Sequence, residues 1–133
     1  MKVGIVGLGL LGGSIGLKLK DLYDNITIYG YDIDYKSVSY CLKNKIIDVK
    51  FEEEFISELD FIFLAIPVDS IKNQLSDFLN KTSDKTLIID LGSTKFQICN
   101  SVENNQNRKN YLAAHPIAGT EFSGPNSAKK DLF

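Results

Sequence analysis

Gly7-Leu8-Gly9-Leu10-Leu11-Gly12 has the form G-x-G-x-x-G and directly follows Val3–Val6, an apolar run of strand length. At those spacings Gly7 permits a tight turn, Gly9 lets the backbone approach a ligand, and Gly12 lets a helix pack close to a strand. A helix opening at Leu10 aims its free N–H groups, and the positive end of its dipole, at an anion. That is diphosphate chemistry. Asp32 follows Gly12 by about 20 residues, where a carboxylate accepts hydrogen bonds from the hydroxyls of an adenosine ribose. It also repels a 2'-phosphate, and no Arg or Lys follows it until Lys36. The pattern points to NAD, with NADP disfavoured. Two other readings use the same residues. The glycines make no more than a turn while Asp32 caps the helix from Asp34, or the ligand is FAD, whose proteins share this opening but more often carry Glu as the acid.

A second group of reactive side chains lies further on. Gly92-Ser93-Thr94-Lys95 follows one apolar run and His115-Pro116-Ile117-Ala118-Gly119 another. His115 is the chain's one histidine. Taking a hydride from a carbinol requires the hydroxyl proton to leave or to be strongly hydrogen-bonded, and neutral imidazole suits that task near pH 7. Ser93 could orient the imidazole or share the substrate hydroxyl. Read structurally, Ser93 is the N-cap of a helix starting near Lys95, Lys95 is a solvated first-turn residue, and His115 is a structural histidine.

The elements that must position these groups alternate. Strand-like runs are expected at Val3–Val6, Ile26–Tyr31, Ile46–Val49, Phe61–Ile66, Thr86–Leu91 and Tyr111–Ala114. Helical periods are expected at Leu10–Tyr23, Asp34–Asn44, Val68–Leu79 and Lys95–Val102, with a polar turn at Asn104–Asn110. Such alternation predicts βαβ units with right-handed crossovers, hence an α/β Rossmann-type, doubly wound, mainly parallel six-stranded sheet with helices on both faces. Ligands of that fold bind outside the carboxyl ends of the strands, where the glycine run, Asp32, Ile66-Pro67, Ser93 and His115 all fall. Pro67 bends the chain past the adenosine side. From His115 onward no periodic element is evident, and the last 15 or so residues are expected to be irregular.

The 133 residues fit one domain with its own core. A net charge of -2, with Lys and Arg dispersed, argues against a nucleic-acid partner. Cys41 and Cys99 stand alone, without a CxxC neighbour or a His at ligand spacing, so no metal site is expected. Reduced thiols and the absence of a long apolar run indicate a cytoplasmic protein rather than a membrane protein.

Gly7-Leu8-Gly9-Leu10-Leu11-Gly12-Gly13-Ser14, Asp90-Leu91-Gly92-Ser93-Thr94-Lys95 and His115-Pro116-Ile117-Ala118-Gly119-Thr120-Glu121-Phe122-Ser123-Gly124 together resemble the prephenate dehydrogenases. The last string is the most specific. The resemblance spans this chain but about the first half of a typical family member. It implies NAD-dependent oxidative decarboxylation of prephenate to 4-hydroxyphenylpyruvate in tyrosine biosynthesis. His115 would hydrogen-bond the substrate hydroxyl, Ser93 would orient it, and Glu121 and Lys95 would lie near the substrate. Family members continue into a helical domain that forms a homodimer and supplies arginines for the substrate carboxylates. Without such partners two carboxylates are costly to bury, so these residues alone are expected to bind NAD and turn over little prephenate. Arogenate as substrate, a non-catalytic NAD-binding module, and a dehydrogenase of the 6-phosphogluconate or 3-hydroxyisobutyrate type are the competing readings. The last usually takes a catalytic lysine from its helical half, which His115 argues against.

Overall fold

Residues 1–133 are described by a computed structural model. Strands β1 (Lys2–Val6), β2 (Thr27–Tyr31), β3 (Val49–Lys50), β4 (Phe61–Leu64), β5 (Leu87–Asp90) and β6 (Tyr111–Ala113) form one sheet. Its order is β3-β2-β1-β4-β5-β6, and every pairing is parallel. The crossovers carry helices α1 (Leu10–Leu22), α2 (Tyr35–Lys43), α3 (Val68–Lys81) and α4 (Phe96–Ser101). This is the expected Rossmann-type fold, and the reversal of strand order beside β1 places a crevice where the glycine run ends.

Side chains alternate across each strand and fill two separate cores. Val3, Ile5 and Ile28 pack with Val38 and Cys41 of α2 and with the inner side of α1. Val6, Tyr29, Ile62, Leu64 and Ile88 pack on the other face with Ile71, Leu75 and Leu79 of α3 and Ile98 of α4. The spacing of Ile71, Leu75 and Leu79 draws one stripe along α3, and all three are fully buried. Burial of each such side chain stabilises by roughly 1.5–3 kcal/mol. Exposed ion pairs such as Lys81–Glu53 add little by comparison.

Most ends agree with the sequence expectation to within one or two residues, and the informative differences are in the middle of the chain. The third strand is Val49–Lys50 rather than Ile46–Val49. The N–H groups of Ile46 and Ile47 both reach the Cys41 carbonyl and close the end of α2, and Lys45 makes the reversal at φ 57°. Their apolar character serves burial, since Ile46 fits against Gly16 and Ile47 against Gly30. The fourth strand ends at Leu64 rather than Ile66 because the chain turns toward Pro67, which precedes α3. A 3-10 segment at Glu53–Glu58, which the sequence pattern did not announce, buries Ile56.

Cys41 is wholly buried and Cys99 partly so. Burial, and secondarily the Asp32 carboxylate, pushes the Cys41 thiol up to about 11. An alkylating reagent at pH 8 should therefore modify one thiol, Cys99, while Cys41 reacts only after denaturation. Mass spectrometry that found Cys41 modified as fast as Cys99 in the folded chain would contradict this packing of α2.

Candidate functional site

The carboxyl end of β1 runs straight into the glycine turn. Gly7 has φ 94°, and a Cβ there would stand 2.4 Å from the Ala65 carbonyl oxygen and 2.8 Å from Ile66 Cγ2. Gly12 is pressed harder, since its Cβ would meet the Gly7 carbonyl oxygen at 1.9 Å. Gly9 is different: its φ is -75° and a Cβ would meet nothing within 4 Å. Nothing in the fold demands a glycine there, and the space beside it is open. Gly9 is also the N-cap of α1, with no side-chain cap and no acidic residue in the first turn. A helix of 13 residues thus presents uncapped N–H groups and its dipole to that space. Leu10 and Leu11 form this first turn. An extended diphosphate fits such a cradle.

Asp32, just past β2, faces the same turn. Leu8 N–H donates to Asp32 Oδ2 at 2.7 Å and Asp34 N–H to Oδ1 at 2.8 Å. A carboxylate has about four acceptor positions, so two remain for hydroxyl donors. Asp32 does not cap α2. Asp34 does, accepting from Lys36 N–H at 3.0 Å. That bond, with the Ser37 hydroxyl next, holds the Asp34 carboxyl below its usual range. Ile33 stands 94% exposed beside Asp32, an apolar surface the motif reading overlooked. A recess of about 230 Å³ opens near the ends of β1 and β2, lined by Val6, Tyr31, Phe51, Ile56, Gln74 and Phe78 among others. Ile66 lies against Gly7, and Pro67 occupies the residue before α3.

At the other side of the sheet β5 and β6 end together. Asp90 pairs with Ala113 and its carbonyl accepts from Ala114 N–H, so the segments leading to Ser93 and to His115 leave the sheet from adjacent strands. Ser93 and His115 are both exposed on this edge, and no hydrogen bond joins them. Ser93 does not cap α4, whose N-cap position is Lys95 without a side-chain cap. Lys95 is not a freely solvated side chain either. Its ammonium donates to Asp90 Oδ1 and, at 2.7 Å, to the Ala114 carbonyl. Asp90 is completely buried and also accepts from Gly92 N–H at 2.9 Å and from the Tyr111 hydroxyl at 2.6 Å. Burial first, then the Asp90 carboxylate, holds the Tyr111 phenol far above its usual range. Removing the cation from such a pair leaves a buried charge, at a cost of about 3–5 kcal/mol. Asp90 and Tyr111 escaped the functional reading of the sequence. The available signal was an acid closing an otherwise apolar strand, Leu87-Ile88-Ile89-Asp90.

After His115 the backbone is irregular. Ile117 has φ 43° and Glu121 is exposed. The chain then returns to α1, where a 3-10 turn (Pro125–Ser127) leads into Lys129, whose N–H donates to the buried Ser14 hydroxyl at 2.9 Å.

Residues 15–133 match the family model described as prephenate dehydrogenase, nucleotide-binding domain. The chain belongs to this family. Prephenate dehydrogenase of Bacillus subtilis (strain 168) is 33% identical over 134 residues, covering 97% of this chain and 36% of the relative. The prephenate dehydrogenase of Aquifex aeolicus, solved with hydroxyphenyl propionate and NAD+, superposes with a TM-score of 0.83 at 31% identity, covering 99% of this chain and 47% of that one. Arogenate dehydrogenase of Synechocystis superposes with a TM-score of 0.87 at 25% identity, covering 100% and 47%. The chain thus spans between about a third and a half of the proteins it matches. No helix of the chain is long and apolar enough to cross a membrane.

For the nucleotide-binding turn, Gly9→Ala separates fold from ligand. With an ordinary φ and open space, the variant should unfold within about 0.5 kcal/mol of wild type. Its dinucleotide affinity, read by NADH fluorescence titration, should fall at least about tenfold, since a methyl group would occupy the cradle. Unchanged affinity would remove the diphosphate from this turn.

Proposed function

We propose that the chain is the NAD-binding half of an enzyme that oxidatively decarboxylates prephenate to 4-hydroxyphenylpyruvate in tyrosine biosynthesis. The observation that carries the reading is the arrangement along one sheet edge. The uncapped N-terminus of α1 and Asp32 lie at one end, and Ser93 and His115, which follow the adjacent strands β5 and β6, lie at the other. Family membership and the NAD+ bound by the Aquifex relative support the same reading.

In this proposal the turn from Gly7 to Gly12 receives the diphosphate on the N–H groups of α1. Asp32, already held by Leu8 N–H, offers its remaining lone pairs to the adenosine ribose. Its charge disfavours a 2'-phosphate, so NAD is preferred over NADP. Ile33, Ile66 and Pro67 supply apolar surface on that side. Bound NAD supplies the hydride acceptor. His115 accepts a hydrogen bond from the substrate hydroxyl and takes up its proton as the hydride departs, Ser93 orients the imidazole, and Glu121 stands near the entrance. Loss of carbon dioxide from the ring then delivers an aromatic product, which drives the step.

Prephenate carries two carboxylates, and Lys95, close to Ser93 in the sequence, is bound internally. In this proposal the substrate's charges meet cations other than Lys95, which the family's dimeric helical domain would supply. Turnover by the 133 residues alone should be negligible despite NAD binding.

The test is an NADH absorbance assay on the gene product that carries these residues, with prephenate or arogenate and NAD or NADP. Prephenate with NAD should be the preferred pair. His115→Asn should lower kcat by about 10²- to 10⁴-fold, the usual contribution of a positioned general base, with NAD affinity unchanged. Arogenate preference would change the substrate and leave the site intact. An unaffected His115→Asn enzyme would return the imidazole to a structural role.

A further inference from the structure

Asp90, Lys95, Tyr111 and Ala114 form a bonded ring beneath the two exposed residues to which the proposed chemistry is assigned. Asp90 Oδ1 accepts from Gly92 N–H at 2.9 Å and so fixes the turn that presents Ser93. The same oxygen accepts from the Lys95 ammonium, which also donates to the Ala114 carbonyl at 2.7 Å. That carbonyl belongs to the peptide unit containing the His115 nitrogen, and a peptide unit moves as a plane. Holding the carbonyl therefore sets the direction in which the chain leaves toward His115. The Ala114 N–H, one plane earlier, donates to the Asp90 backbone carbonyl at 3.1 Å. Tyr111, at the base of β6, donates its hydroxyl to Asp90 Oδ2 at 2.6 Å and fixes the rotation of the carboxylate.

Charge decides what Lys95 can still do. Asp90 is wholly buried, so its anion needs a close cation, and Lys95 is the one that meets it. An ammonium neutralised in this way, with a backbone carbonyl as its second partner, has little attraction left for a dianionic substrate. We infer that Lys95 is a positioning residue: through Asp90 and Ala114, with Tyr111 locking the carboxylate, it holds Ser93 and His115 at a fixed separation. The inference rests on the proposed roles of Ser93 and His115 and gives Lys95 a task different from contact with the substrate.

The experiment compares Tyr111→Phe, Lys95→Met, Lys95→Arg and the double variant Asp90→Asn/Lys95→Met with wild type. Thermal unfolding, NADH fluorescence titration and steady-state kinetics with prephenate are measured on the gene product carrying these residues. The double variant removes both charges and keeps the fold accessible if Lys95→Met alone is too unstable. Positioning predicts that Tyr111→Phe and Lys95→Met lower kcat by about 10- to 100-fold, the scale of a misplacement of 1 Å or less. KM for prephenate and dinucleotide affinity should stay within about threefold. Lys95→Arg, which keeps the charge, should recover part of kcat, and the double variant should regain stability without regaining kcat. A Lys95→Met enzyme with intact kcat and a KM raised tenfold or more would overturn the inference, because the ammonium would then be meeting substrate.

A second readout needs no turnover. His115 is the one histidine, so ¹⁵N-histidine labelling of the 133-residue chain gives a single set of imidazole correlations. These should shift or broaden in Tyr111→Phe and in Lys95→Met, and unchanged correlations would overturn the inference. If wild-type enzyme oxidises neither prephenate nor arogenate, the functional proposal falls, and the imidazole signals still decide whether the ring positions His115.

Discussion

At the end of β1 the backbone passes so close to the first turn of α1 that a methyl group on Gly12 would overlap the Gly7 carbonyl, 1.9 Å from the Cβ position. The rest of the molecule is arranged around that approach. It sets the axis of α1 against the middle strand of the sheet, and so places the positive end of a long uncapped helix at the carboxyl edge. Were α1 held a side chain's width further out, its N–H groups would face water and Leu8 N–H would leave Asp32. The two cores then hold this arrangement, each pressing a pair of helices onto one face of strands buried on both sides.

Asp32 and Asp90 do related work at different places on that edge. Each stands at the end of a strand and ties a turn to its neighbour, Asp32 through two backbone N–H groups and Asp90 through one such group, the Lys95 ammonium and the Tyr111 hydroxyl. Asp32 joins the glycine turn to the start of α2, and Asp90 joins the Ser93 turn to the end of β6. Their environments differ. Asp32 is half-buried and keeps acceptor capacity for a ligand, whereas Asp90 is sealed from solvent and takes three protein donors. One carboxylate is therefore available for recognition and the other for geometry.

Much of this was legible in the residues. The six apolar runs, bounded by Gly, Pro, Asn and Asp, announce the parallel sheet, and Gly7, Gly9, Gly12 and Asp32 mark the nucleotide edge before any coordinates. The third strand was misplaced because periodicity cannot tell an apolar residue that pairs from one that closes a helix, as Ile46 and Ile47 do against Cys41. Asp90 looked like one more polar residue at a strand end. Its meaning depends on Tyr111, 21 residues away in the sequence, and on a lysine that reads equally well as a surface residue. Ser93 and His115 stand out in the sequence by their place after β5 and β6, while the lack of a bond between them cannot be read from spacing.

Ser14 sits in the first helix with its hydroxyl sealed from water, and its partner is the N–H of Lys129, 115 positions later. A chain made from its amino end thus presents α1 to the growing sheet while that hydroxyl is still waiting for a partner. Until the late segment arrives, with Ala128 against Gly13, water rather than protein meets that hydroxyl. Such a long-range closure raises the contact order of an already parallel topology and slows folding. It also ties the final packing of α1 to a segment made more than a hundred residues after it.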